Sequence, residues 1–465
     1  VVVLLVAEII HASKLNQKDS VTLAEKRPLL IWYTDPDIQE YMQQSAEAAA
    51  AQYGVQVETE LVSEVDYIEN ISERSVAETM TGPDLYVLSS SQMEKAALAG
   101  LTDQLDDKQM ADTYSEKAVH AVTYDGKVMA YPFYVETSVL LYNRYYADEA
   151  PATIDAILDY SENYEASEVT AKVENMFEWN VADVIENYMF LGGYTDLGGE
   201  DGDDKSQVSM DLDKAVECMM YYQSLNSFFA LDADTITSDE IIQDFIDGKT
   251  VFAIANASMI GKLDEAIANG EIPEYPTERT VTDENGEEQT EELNFDPFYA
   301  AAPLPDLTND LETGGLSVTN AIAVNPYSVN RDAAAAIARY LTEKNVGSLY
   351  EMTSKIPACQ SLAEAPTPAW DAVCEAYDKA AEVPKIMELS DMWLHLEATM
   401  ADIWRGEDAA TQMQAFSDLM TERLNYRYQN KIPILWKYLP KRRFSHDWNF
   451  CCPFIGCTDE HSGRI

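Results

Sequence analysis

The sequence predicts an α/β fold built from two units of alternating strands and helices, and three observations carry that prediction. From Leu29 onward a short apolar strand, a helix and a second strand follow one another, the order of a βαβ unit. The same alternation restarts in the second half of the chain, at Thr250-Val-Phe-Ala-Ile-Ala255. The chain also has the size and composition for two cores. Its 465 residues are 46% hydrophobic and 10% aromatic, and at about 150 residues per domain they leave room for two or three domains.

Taken in order, Leu29-Leu-Ile-Trp-Tyr33 is the first strand, an apolar run bounded by polar residues. Residues 37–53, rich in Ala and Gln, read as a helix, and residues 55–61 alternate with the period of two that marks a half-buried strand. A further helical stretch ends near Met80, Gly82-Pro83-Asp84 interrupts it, and Leu85-Tyr-Val-Leu88 reads as a buried strand. Strands joined through helices predict a largely parallel sheet. Ser89-Ser-Ser91 opens the next helix by offering hydroxyls to its free amides, and Asp125-Gly126 turns the chain into strand residues 128–132.

Residues 154–190 read as a long helical region, broken near Tyr164 and Ala166 and ended by Gly192-Gly193. Residues 211–226 and 238–247 are amphipathic helices, the second stopped by Gly248. Residues 274–296 are strongly acidic, and Asn285-Gly286 within them predicts a solvated hairpin or loop. Strand character returns at residues 298–305 and 321–324, and residues 387–425 read as helical.

Charge narrows the function. With 82 Asp and Glu against 31 Lys and Arg, the net charge of −51 excludes a nucleic-acid partner, because phosphate binding needs a basic surface. The sign is uneven: residues 427–465 carry seven basic and three acidic side chains, a net +4, so residues 1–426 carry −55. That basic tail, with Cys451, Cys452 and Cys457, reads as a separate unit of unknown role, and Cys-Cys-x4-Cys is not a standard zinc spacing. Residues 1–27 read as a leader or anchor remnant followed by a linker; the apolar run at their start is too short to span a bilayer. No phosphate-binding glycine loop, nucleophile elbow or His-Glu-x-x-His motif occurs, and the closely spaced acids of residues 198–204 read as a solvated turn. No metal site, cofactor or catalytic residue is predicted.

At Asp125-Gly-Lys-Val-Met-Ala-Tyr-Pro-Phe-Tyr-Val-Glu136-Thr-Ser-Val-Leu-Leu-Tyr-Asn-Arg144 the chain resembles the family 1 extracellular solute-binding proteins of ABC importers, the group that includes maltose-binding protein. Four further segments fall in the family's order: Gly82-Pro-Asp-Leu-Tyr-Val87; Phe245-Ile-Asp-Gly-Lys-Thr-Val-Phe-Ala-Ile-Ala-Asn256; Ala302-Pro-Leu-Pro305 with Gly314-Gly315; and residues 334–341 leading to Ile356-Pro357-Ala358. The resemblance spans residues 29–425. It implies a two-lobe periplasmic-binding-protein-like fold, a hinged clamp of two discontinuous α/β domains. One lobe is expected from residues 28–135 and 303–355, the other from residues 136–302 and 356–426, with the hinge near residues 135–138, 300–304 and 355–357. The implied function is a monomeric, non-catalytic receptor at the extracellular face of the cell membrane. It would bind a carbohydrate between its lobes, deliver it to the permease subunits, and associate with the membrane through the transporter or an N-terminal anchor.

Carried over residue by residue, the resemblance assigns Glu136 as a carboxylate that accepts sugar hydroxyls, a role its paired oxygens suit. It assigns Trp393, in Asp391-Met-Trp-Leu-His395, as an aromatic that stacks on a pyranose ring. Trp179 lies close to a further sugar contact of the family. Asp35 and Asp37 occupy the first strand-to-helix loop, where the family often contacts ligand. Where maltodextrin binders carry Trp, Asp and Arg after the Pro-Asp strand, this chain has Leu88, Ser91 and Gln92; after the strand ending at Asn256, Met259 replaces the family aromatic. These departures turn the expected ligand from maltodextrin toward another glycan or a shorter sugar. Two other readings of the same acidity are a hydrolase using a carboxylate pair and a clamp for a non-sugar solute such as a polyamine.

Overall fold

The computed structural model describes residues 21–77, 81–105, 110–167, 169–282 and 288–425. Most of the leader, the basic tail with its three cysteines, the helix end at Met80 and the Asn285-Gly286 turn lie outside the described residues.

In the first lobe Leu29–Tyr33 lies between Val57–Leu61 and Leu85–Ser89 and is parallel to both, as the βαβ opening requires. The connecting helix, Gln39–Tyr53, buries Tyr41, Met42, Ser45, Ala46, Ala49 and Tyr53, an apolar stripe repeating every three to four residues. A single 3-10 turn, Pro36–Ile38, precedes it, and the Asp35 carboxylate accepts from the Asp37 amide at 2.9 Å to start that turn. The helix ends at Gly54, whose φ of 71° is the left-handed conformation that glycine adopts without strain. Asp35 and Asp37 are thereby held at the carboxyl end of the strand Leu29–Tyr33, the end at which open α/β sheets receive ligands.

One strand links the two halves of the sheet. Tyr131–Asn143, here called the crossing strand, has 13 residues and at strand rise reaches roughly 40 Å. Its first half pairs antiparallel with Leu316–Val324, the return strand, and its second half pairs antiparallel with Thr250–Asn256; the change of partner falls between Thr137 and Ser138. Nearly every residue of the crossing strand is buried, which is why it reads as a continuous apolar run rather than an alternating one.

In the second lobe Asn175–Glu178 adds parallel to Thr250–Asn256, and Tyr299–Ala302 adds antiparallel to the crossing strand. Side-chain parity then divides two cores. Val139, Leu141, Ala253 and Ala255 join the core that also holds residues of helices Ser238–Ile246 and Ile260–Asn269. Leu140, Phe252 and Ile254 point the other way, to a core shared with helices Leu212–Phe229, Met392–Trp404 and Ala409–Asn425. The acidic segment forms the expected hairpin, Glu278–Thr282 against Glu288–Glu292.

Two sequence expectations are corrected. The sheet is mixed rather than largely parallel, because the crossing and return strands run between the lobes in opposite senses and pair antiparallel with each other and with most of their neighbours. The region 154–190 is α-helical only at Ile154–Glu162 and Val184–Asn187. Asn175–Glu178 between them is a strand, held by pairing with residues 75 positions away. Four residues without alternation carry no local strand signal, so the pairing decides.

A candidate ligand site on the crossing strand

Pairing register fixes which side chains share a face, since residues directly opposite one another project to the same side. Glu136 lies opposite Val318, and Ser138 opposite Asn256. By the period of two, Tyr134, Glu136, Ser138 and Asn256 therefore occupy one face of the joined sheet, at the point where the crossing strand changes partner. The short strand Ile356–Pro357 pairs with Val135 and Tyr134, and this brings the preceding residue, Lys355, beside Glu136.

A charge cluster results. Lys355 Nζ lies 3.1 Å from Glu136 Oε1, 3.1 Å from Asp35 Oδ2 and 3.6 Å from Asp37 Oδ2. The Tyr134 ring sits beneath the ammonium, 5.5 Å from its centroid, and the Tyr134 hydroxyl donates to Asp35 Oδ2 at 2.9 Å. Burial pulls the Lys355 pKa down, but Glu136 and then Asp35 overrule it, so the ammonium titrates above its ordinary value and stays charged. Burial and charge also push the Tyr134 phenol well above its ordinary range, so it remains a donor. The Lys355 side chain is 10% exposed, whereas that of Glu136 is 30% exposed and that of Asp37 69%. On the same face the Ser138 hydroxyl is buried with no hydrogen-bond partner among the described residues.

The other expected residues divide. Asn256 is half-buried, and its Oδ1 accepts from the amide and hydroxyl of Ser258, capping the turn that carries Met259; Met259 packs partly buried against the first core. Gln92 closes a capping box with Ser89, while the Ser91 hydroxyl is exposed at 2.7 Å from that of Ser89. Trp393, in the first turn of its helix, is half-buried with an edge-to-face contact to Tyr188 at 5.8 Å. Trp179 lies in the interior. It is fully buried among Phe177, Phe190 and Trp404, and its Nε1 donates to Asn187. It directly follows the strand that sequence reasoning read as helix, and it packs into the second core.

Sequence reasoning missed Tyr134, Ser138 and Lys355. The first two stand two positions either side of Glu136 in a strand, so parity alone would have placed them on its face. Nothing local marks Lys355, whose carboxylate partners lie hundreds of residues away.

The opposite face of the same strands carries a second carboxylate. Ser317 lies opposite Thr137 and Thr319 opposite Val135, so both project away from Glu136. Between them Glu382 accepts from Ser90 Oγ at 2.6 Å and the Thr319 amide at 2.8 Å through Oε1. Through Oε2 it accepts from Ser317 Oγ at 2.9 Å and Thr319 Oγ1 at 3.3 Å. Among the described residues, no group of three or more His, Cys, Asp and Glu side chains is arranged to hold a metal ion. Nor is any helix there long and apolar enough to cross a membrane.

Comparison with known proteins bears on what such a fold does. The chain is 24% identical over 315 residues to the maltodextrin-binding protein MdxE of Bacillus subtilis (strain 168), covering 65% of this chain and 68% of that one. It is 23% identical over 406 residues to the galactooligosaccharide-binding protein of the same organism, covering 84% and 88%. Among solved structures, the extracellular solute-binding protein of Staphylococcus aureus in complex with maltose superposes with a TM-score of 0.67 at 18% identity, over 86% of this chain and 99% of that one. The two-lobe clamp architecture is thus that of the solved solute-binding proteins. Residues 44–378 match the family described as bacterial extracellular solute-binding protein, a family of receptors rather than enzymes. This chain belongs to that family.

Proposed function

We propose that the chain is an extracellular receptor that binds a carbohydrate at the crossing strand, between its lobes, and hands it to the permease of an ABC importer. The observation that supports this reading best is Glu136. It stands at the change of partner of the crossing strand, its carboxylate is partly open to solvent, and the one hydrogen bond on it among the described residues comes from Lys355. A carboxylate with spare acceptor capacity beside the unpartnered Ser138 hydroxyl is suited to a vicinal diol. The two Bacillus relatives, a maltodextrin-binding and a galactooligosaccharide-binding protein, point to the same ligand class.

In this reading the lobes are residues 28–135 with 303–355 and residues 136–302 with 356–426, and closure turns on the crossing strand, the stretch at residues 300–304 and residues 355–357. Ligand contacts from both lobes favour the closed state. Asp35, Asp37, Ser91 and Gln92 approach from the first lobe, and Asn256, Met259 and Trp393 from the second. Calorimetry and thermal shift over a panel of mono- and oligosaccharides test it. Saturable stabilisation by one or more neutral sugars is expected, and no sugar response beside a clear response to an amine, nucleotide or metal overturns the reading.

A further inference from the structure

The further inference concerns Lys355 and rests on the reading of this site as the sugar site. Three carboxylates converge on a single point, and that point lies over the face of an aromatic ring, Tyr134. Carboxylates gathered over an aromatic face are the chemistry that recognises an alkylammonium ion. In this chain the position is already filled from within, by the ammonium of Lys355, which is buried and holds its charge. An incoming amine would have to displace a tethered one and leave that second cation in the same small volume, which like-charge repulsion opposes. A neutral polyol meets no such obstacle, because Glu136 remains 30% exposed and Lys355 engages one of its two oxygens.

We propose that Lys355 is the specificity-determining residue of the site: an internal ammonium that occupies the cation position, excludes amine ligands and holds Asp35 and Glu136 in place for the hydroxyls of a neutral sugar. The strongly acidic surface makes this exclusion useful. With a net charge of −51 the protein attracts polyamines non-specifically, and a site of three unneutralised carboxylates would be a trap for them.

The test compares wild type with Lys355→Met, which keeps the chain length and removes the charge, and Lys355→Arg, which keeps the charge. Binding of maltotriose and of spermidine is measured by calorimetry at fixed ionic strength. Wild type and Lys355→Arg should give no saturable spermidine binding. Lys355→Met should bind spermidine at least tenfold more tightly than wild type and maltotriose at least tenfold more weakly. Spermidine binding to wild type or Lys355→Arg, or a Met variant that gains no spermidine affinity, overturns the proposal. If the Met variant does not fold, Lys355→Ala is refolded with and without millimolar n-propylammonium. Recovery that depends on the amine supports an ammonium site, and no recovery counts against it. A wild type that binds neither maltotriose nor any sugar of the mono- and oligosaccharide panel defeats the sugar reading alone, since the spermidine arm still decides whether Lys355 excludes amines.

Discussion

Glu136 and Glu382 serve opposite faces of the sheet where the crossing and return strands pair, and they solve the problem of a carboxylate in a protein interior in opposite ways. Glu382 is buried and accepts four hydrogen bonds, two on each oxygen, from Ser90, Ser317 and Thr319. Glu136 is partly exposed and meets one lysine. A saturated carboxylate has no acceptor capacity left for a ligand and contributes to rigidity. An undersaturated one contributes little to rigidity and keeps its capacity for a partner that arrives later. The number of donors already engaged therefore separates a structural acid from a candidate binding acid better than residue type or position does.

That contrast gives the largest expected effect. Glu382→Ala leaves buried donors without an acceptor and should destabilise the protein by about 3–5 kcal/mol in denaturant unfolding, the range seen when one partner of a buried polar network is removed. Glu136→Gln should change stability by under about 1 kcal/mol, and in the sugar-receptor reading it should weaken ligand affinity by about 1–3 kcal/mol in calorimetry. An unfolded Glu136→Gln beside an unaffected Glu382→Ala would reverse the comparison and remove Glu136 from the site.

The two tryptophans repeat the contrast with aromatic rings. Trp179 has no exposed surface and four aromatic neighbours, so Trp179→Ala should cost about 3–5 kcal/mol of stability through cavity formation, whatever the ligand. Trp393 is half-buried with one ring contact, to Tyr188. Trp393→Ala should lower stability less, and if the ring stacks on a sugar it should weaken binding by about 1–3 kcal/mol. Equal stability losses in the two variants would mean that Trp393 is a packing residue like Trp179.

Which of these distinctions was legible beforehand follows from how far each residue's partners lie along the chain. The βαβ opening was readable because its strands, helix and caps are set by neighbours a few residues away, as the Asp35 cap and the Gly54 stop show. The position of Glu136 was readable because it lies in a long local motif. Lys355 was not, because its neighbourhood Ser354-Lys355-Ile356-Pro357 says nothing about carboxylates at positions 35, 37 and 136. The packing of Trp179 was not legible for a related reason: the strand Asn175–Glu178 is held by its pairing with Thr250–Ala253, so the side to which the next residue points could not be known. The mixed sheet was missed because the direction of a strand shared by two lobes is a property of the whole topology.

A third acid sharpens the comparison with the smallest effect. Glu186 is buried like Glu382, yet its carboxylate meets two donors rather than four bonds, the Asn180 amide at 2.9 Å and the Ser238 hydroxyl. Burial, with Asp183 adding to it, pushes its pKa from an ordinary 4.5 up to about 8, so here a bound proton replaces the missing donors. The sign follows from the raised value. Between pH 4.5 and about 8 the folded chain keeps a proton that the unfolded chain has released. The stability due to this group is thus complete at the acid end and is lost as pH rises to about 8, by at most about 1.4 kcal/mol per pH unit. Glu186→Gln, neutral at every pH, should match wild type near pH 4.5, exceed it in stability at higher pH, and flatten the fall in unfolding free energy from pH 6 to pH 8 by about 1 kcal/mol per unit. Denaturant titrations at three pH values check it. An unchanged slope would show that burial does not keep the Glu186 carboxyl protonated, and that burial without saturation is not what sets it apart from Glu382.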